Sequence, residues 1–124
     1  MFGMSKYQTL DAWKVTMQLV KEIYVLTKEY PKEEMYALIS QTKRAAVSVP
    51  ANIAEGMGRQ YKKDTLQFLH VSRGSLYELE TLLNVAFMVN ILGQQDLLKT
   101  VSLVDQCLQL LNGLIKYITK ANLK

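Results

Sequence analysis

The chain of 124 residues contains one cysteine (Cys107), one histidine (His70) and one tryptophan (Trp13). A lone thiol excludes an internal disulfide framework, and one thiol with one imidazole is too few for a zinc site of the usual ligands. Proline occurs twice and glycine six times, so chain breaks are few and a many-stranded sheet with its frequent turns is disfavoured. No apolar run reaches the roughly 18 residues of a membrane span. Met1–Lys6 lacks the apolar stretch of a secretory signal, so the expectation is a cytoplasmic chain with no membrane partner. A phosphate-binding glycine loop is also missing, because Gly56 and Gly58 follow a helical pattern rather than a strand. Neither sign of charge dominates strongly: 15 bases face 11 acids, a formal net charge of +4. What is present is an ordinary globular mixture, 49% hydrophobic and 21% charged. Its length fits one domain over residues 1–124.

Apolar spacing follows the helical period throughout. Leu10, Trp13, Met17, Val20, Tyr24 and Thr27 predict a first helix over residues 9–30, with Thr9 or Asp11 as cap and Pro31 as stop. Leu19, Ile23, Leu26 and Tyr30 form a second stripe on it. A second helix is predicted from Pro31–Glu33 to Gly56 or Gly58, kinked at Pro50 because proline lacks the N–H and clashes one turn back. Phe68, Ser72, Ser75, Leu79, Leu82, Ala86 and Val89 predict a third helix from Lys62 or Asp64 to Leu92, stopped by Gly93. In its first half Ser72, Gly74 and Ser75 suggest a close backbone approach. Leu97, Val101, Val104, Leu108, Leu111, Ile115 and Ile118 predict a fourth helix over residues 94–120. A second stripe there runs through Leu103, Cys107, Leu110, Leu114 and Tyr117. The fold class expected is all-α, an antiparallel up-down four-helix bundle. Two apolar faces on one helix exceed what a lone bundle requires, which points to self-association.

The charge is uneven. Residues 43–73 hold six bases, Lys43, Arg44, Arg59, Lys62, Lys63 and Arg73, against Glu55 and Asp64. That excess equals the whole chain's, and a local excess of this kind attracts phosphate or an acidic partner. In the same region Ser48, Asn52, Glu55 and Arg59 step by four, three and four, a polar stripe among small apolar residues. Partly covered polar groups need partners, and Arg73, Ser75 and Glu78 of the third helix are the candidates. The stripe reads either as a buried network that sets helix register or as a binding surface. Cys107 lies in an apolar stripe and reads as a small core residue, and His70 as an ordinary helix residue. Glu55 with Glu78 or Asp64 would be the least implausible acid pair for an enzyme, a metal-dependent nuclease.

The run from Gln41 to Arg59 carries a family pattern, approximately Q-x-x-R-A-x-x-S-x-P-x-N-I-A-E-G-x-G-R. It is met by Gln41, Arg44, Ala45, Ser48, Pro50, Asn52, Ile53, Ala54, Glu55, Gly56, Gly58 and Arg59. Trp13, Tyr30-Pro31 with Glu34 and Tyr36, and a second block from Arg73 to Glu80 through Gly74, Ser75 and Glu78 accompany it. Arg73 stands where alanine is common. On these marks residues 7–120 resemble the four-helix bundle family named after proteins encoded in intervening sequences of bacterial large-subunit ribosomal RNA genes.

The resemblance implies a homopentameric ring, and a fold similar to the accessory protein of diversity-generating retroelements, a basic pentamer that binds nucleic acid and a reverse transcriptase. It implies no catalytic residue, cofactor or metal. The expectation is therefore a non-enzymatic bundle that binds RNA or DNA through repeated basic patches, with the six bases as phosphate contacts. The alternative is a scaffold for a protein partner such as a reverse transcriptase.

Overall fold

A computed structural model describes residues 6–121. The reading of Met1–Lys6 falls, but for Lys6, outside the described residues. A 3-10 turn, Lys6–Thr9, leads into α1 (Asp11–Thr27). After a second 3-10 turn, Lys32–Glu34, and a π-helical segment, Met35–Ile39, come α2 (Ser40–Met57), α3 (Lys62–Met88) and α4 (Gln94–Lys120). The described residues contain no strand, and the protein is all-α. At about 1.5 Å per residue α3 and α4 are each about 40 Å long.

Cross-helix hydrogen bonds show how the helices run. Between α2 and α3 they join Ser48 to Ser75, Val49 to Ser72 and Gly56 to Thr65. One number rises as the other falls, so the two helices are antiparallel. Arg73 to Asn112 and Lys62 to Ala121 set α3 against α4 in the same opposed sense. α1 packs on α2 and α4 and completes the four-helix layout.

The core between the helices is aliphatic. Leu19, Ile23, Ile53, Leu69, Leu76, Leu79, Leu83 and Leu111 are fully buried. Each contributes about 1.5–3 kcal/mol by leaving water.

On α1 the inward face is Ala12, Val15, Thr16, Leu19, Ile23 and Thr27. The stripe through Trp13, Met17, Val20 and Tyr24 lies on the flank, with Met17 and Tyr24 each 43% exposed. Two threonines took the place that an apolar count would reserve for larger side chains. Thr16 Oγ1 donates to the Trp13 carbonyl at 2.9 Å and Thr27 Oγ1 to the Ile23 carbonyl at 2.8 Å. With their hydroxyls satisfied on their own helix, only their methyl groups meet the core.

The helix ends depart from the expected boundaries. α1 has Leu10, rather than Thr9 or Asp11, at its N-cap position and ends at Thr27 rather than Tyr30. The second helix becomes α-helical only at Ser40, and it then runs unbroken through Pro50. α3 stops at Met88, not Leu92, and Gly93 is not what stops it. Asn90 takes a left-handed φ of 65°. Its N–H reaches the Phe87 carbonyl at 3.1 Å, and the Ile91 N–H reaches Ala86 at 2.8 Å. This pair of bonds is a Schellman closure, in which asparagine is the usual substitute for glycine. Gly93 instead opens α4, at φ −76° and ψ 160°.

Asn90→Val should cost about 1–2 kcal/mol, because a β-branched side chain does not tolerate positive φ. Asn90→Gly should retain or raise stability. Thermal melts read the difference as a shift of about 4 °C per kcal/mol for a domain of this size.

Candidate nucleic-acid interface

The polar stripe of α2 divides into two parts. Ser48 and Asn52 are half-buried against α3, whereas Glu55 and Arg59 face solvent. Asn52 Nδ2 donates to the Ser48 carbonyl at 2.8 Å and to Ser48 Oγ at 2.9 Å. Ser48 Oγ lies 2.9 Å from Ser75 Oγ, and Ser75 Oγ donates to the Val71 carbonyl at 3.1 Å. Proton counting sets the direction. Ser75 spends its one hydroxyl proton on Val71, so Ser48 donates to Ser75 and accepts from Asn52. The result is a one-way chain from Asn52 through Ser48 and Ser75 to Val71.

Two further hydroxyls clamp the same pair of helices: Ser72 Oγ donates to the Val49 carbonyl and Thr65 Oγ1 to the Gly56 carbonyl, both at 2.8 Å. Between them the helices nearly touch. A β-carbon on Gly56 would lie 2.8 Å from Phe68 Cβ and 3.1 Å from the Thr65 carbonyl. Gly74 has no such role. Nothing lies within 4 Å of where its β-carbon would be, so the close approach expected at Ser72, Gly74 and Ser75 is made by the two serines and Gly56. Glu78 stands outside the chain, exposed beside Gln41, Arg44 and Ser48 in a groove between α2 and α3.

The six candidate bases have different surroundings. Lys43 places its ammonium 4.6 Å over the Tyr24 ring. Arg44 lies exposed in the groove with Glu78. Arg59 is bonded to Glu55 at 2.8 Å and sits 4.7 Å over the Phe68 ring. Its charge is thus already answered, although so exposed a pair adds at most about 1 kcal/mol of stability. Lys62 Nζ donates to the carbonyls of Thr119 at 2.9 Å and Ala121 at 3.1 Å. It thereby caps the negative end of the α4 dipole. Lys63 is exposed and borders a shallow depression with Leu66, Gln67, His70 and Val71. Arg73 donates to Asn112 Oδ1 and contacts His70 Nδ1, both at 3.0 Å. Contrary to the cross-helix expectation, Arg73 is held on the α4 side and not against Ser48 or Asn52.

Lys63 and Arg73 therefore belong to a face made by α3 and α4, while Lys43 and Arg44 lie on other sides of the bundle. Two bases that a linear count leaves aside complete this face. Lys116 and Lys120, one turn apart and both exposed, border a second shallow depression with Gly113, Tyr117 and Ala121. From Cys107 to Ala121 and from Thr65 to Tyr77 there is no aspartate or glutamate. The bonds from Lys62 and Arg73 to α4 set these two acid-free segments side by side. The signal in the sequence was a Lys-x-x-x-Lys spacing at the end of the last helix. It counts towards this face only once α4 is known to end where α3 begins.

Catalytic groupings are sparse. The described residues contain no cluster of three or more His, Cys, Asp or Glu side chains placed to hold a metal ion. Glu55 is engaged with Arg59, and Glu78 lies in the Arg44 groove. Burial pushes the Cys107 thiol up to about 12 and the Tyr30 phenol likewise to about 12. No described helix is long and apolar enough to cross a membrane.

The class of protein so defined is an all-α four-helix bundle with a tight α2–α3 seam and a basic α3–α4 face. The family model for 23S rRNA-intervening sequence proteins matches residues 8–113, and the chain belongs to that family. Its fold is similar to the crystal structure of a protein of unknown function from the S23 ribosomal protein family of Bacteroides thetaiotaomicron. The two share 20% identity with a TM-score of 0.79, over 85% of this chain and 95% of that one. The search of curated proteins finds no match.

Two outcomes check this site. Gly56→Ala should cost about 1–3 kcal/mol through overpacking, whereas Gly74→Ala should add about 0.5–1 kcal/mol by removing an exposed helical glycine; urea unfolding distinguishes them. Cys107 should resist iodoacetamide at pH 8 in the folded protein and react on denaturation, because the thiolate is the reactive form.

Proposed function

We propose that this protein is a non-enzymatic, self-associating bundle that binds nucleic acid, RNA in particular, through its α3–α4 face. The observation that carries the reading is the gathering of Lys63, Arg73, Lys116 and Lys120 on one acid-free surface. Bases gathered in this way contact phosphates and specify little sequence. Lys43, Arg44, Arg59 and Lys62 serve other contacts or lie elsewhere, so the phosphate-contacting set is Lys63, Arg73, Lys116 and Lys120.

The oligomer proposed is a homopentameric ring. A cyclic ring needs two different complementary patches on each subunit. Two apolar surfaces support this. One is the flank of Trp13, Met17, Val20 and Tyr24 on α1, continued by Val47 on α2, of which Met17, Tyr24 and Val47 are 41–43% exposed. The other is the second stripe of α4, where Leu103, Leu110 and Leu114 are half-buried and Tyr117 is 69% exposed. Five copies would carry a formal charge of about +20 from the chain's +4, and closely spaced sites gain avidity.

Fluorescence titration with single-stranded RNA and DNA at two salt concentrations tests the binding. Submillimolar affinity at low salt that falls steeply with added salt is expected; affinity no better than millimolar ends the reading. The paired reversal Lys116→Glu/Lys120→Glu should flatten the log Kd against log salt slope by about one to two. Arg44→Glu, on another side, should leave that slope nearly unchanged. Mass photometry of Met17→Glu/Val47→Glu should show loss of the ring with helicity retained.

A further inference from the structure

Resting on the nucleic-acid reading above, we infer that Arg73 forms a proton-linked phosphate subsite within the α3–α4 face, with His70 as the group that takes up the proton. The guanidinium is held from two sides by neutral acceptors, Asn112 Oδ1 on α4 and His70 Nδ1 one turn back on α3, each at 3.0 Å. Arg59 differs, because its partner is a carboxylate. Arg73 is thus fixed in place with its charge uncompensated, and three of its five N–H donors are uncommitted by these two bonds. A preorganised guanidinium with free donors matches the oxygens of a phosphodiester.

The contact with His70 also assigns donor and acceptor. A guanidinium only donates, so in this contact His70 Nδ1 accepts. A proton taken up at Nδ1 abolishes that acceptor and places two cations side by side. A phosphate oxygen relieves both effects, since it accepts from Nδ1–H and from the Arg73 guanidinium together. Protonation and phosphate binding therefore favour one another, as linked equilibria must.

The surroundings reinforce the coupling. Along α3, Lys63 shares the depression with His70. From α4, Asn112 meets Arg73, and Lys116 lies one turn beyond it. The acids of the lower part of α3 reduce to Asp64, which by its helical position points away from α4. Histidine is the side chain whose charge ordinarily changes between pH 5 and 8. His70 is also the only histidine in the chain, so its titration can be followed without ambiguity.

The test uses the full chain and an oligouridylate of about 20 nucleotides at constant ionic strength, because uracil does not titrate between pH 5.5 and 8. The wild type should bind about five- to tenfold more tightly at pH 5.5 than at pH 8, the change that one linked unit of pKa gives. His70→Gln, whose amide oxygen can accept a hydrogen bond but cannot titrate, should lose most of that dependence. By NMR the single imidazole signal should titrate at higher pH when RNA is bound than when free, and Arg73→Gln should reduce the difference. Binding with the same pH dependence in wild type and His70→Gln, or an imidazole midpoint unmoved by RNA, overturns the subsite and leaves the nucleic-acid reading standing. No binding at any pH overturns both.

Discussion

The arrangement of this bundle depends on how closely α2 and α3 approach. At Gly56 the two backbones leave no room for a β-carbon. A contact this tight has one register, since a slide along the axis would drive Phe68 or the Thr65 carbonyl into α2. Serine and threonine hydroxyls then hold that register at three levels, from Thr65 through Ser72 to Ser75. Each neutral bond adds only about 1 kcal/mol. An unmet hydroxyl or carbonyl in the seam would cost more than that, so the polar chain discriminates against wrong pairings more than it strengthens the right one.

Once α3 is fixed on α2, the position of α4 decides what the outer surface presents. Lys62 reaches the terminal carbonyls of α4, and Arg73 reaches Asn112 across the same boundary. These contacts align the start of α3 with the end of α4. Lys63, Arg73, Lys116 and Lys120 are brought onto one face, although Lys63 and Lys116 stand 53 residues apart in the chain. The bases that a linear count groups with them are engaged elsewhere or, like Arg44, lie on another side. Lys43 lies over Tyr24 and Arg59 over Phe68.

Much of the fold was legible in the sequence because helical periodicity is a local property. The four helices, the extent of α4 and the core role of Cys107 follow from spacing alone, and the small residues Ser72 and Ser75 pointed to a close helix approach. Less legible was the choice between competing stripes on α1. Thr16 looks polar in a sequence and Thr27 was counted with the stripe that became the flank, and their hydrogen bonds to the Trp13 and Ile23 carbonyls explain why both are buried. The end of α3 was misplaced for a similar reason. Glycine is the commoner signal, and Asn90 adopts the left-handed turn three residues earlier. Gly74 and Gly56 are the same residue type on neighbouring helices, yet one faces open space and the other the tightest contact of the seam.

The sequence by itself determined that this is an all-α chain with long helices, an excess of apolar faces and a polar stripe on α2 that needed partners. Backbone preference and amphipathic period act within a few residues and are visible one segment at a time. Tertiary structure alone decided which of two stripes on α1 turned inward, which glycine became indispensable and which lysines became neighbours. Those outcomes depend on distances between residues dozens of positions apart, and such distances exist only after the helices have packed.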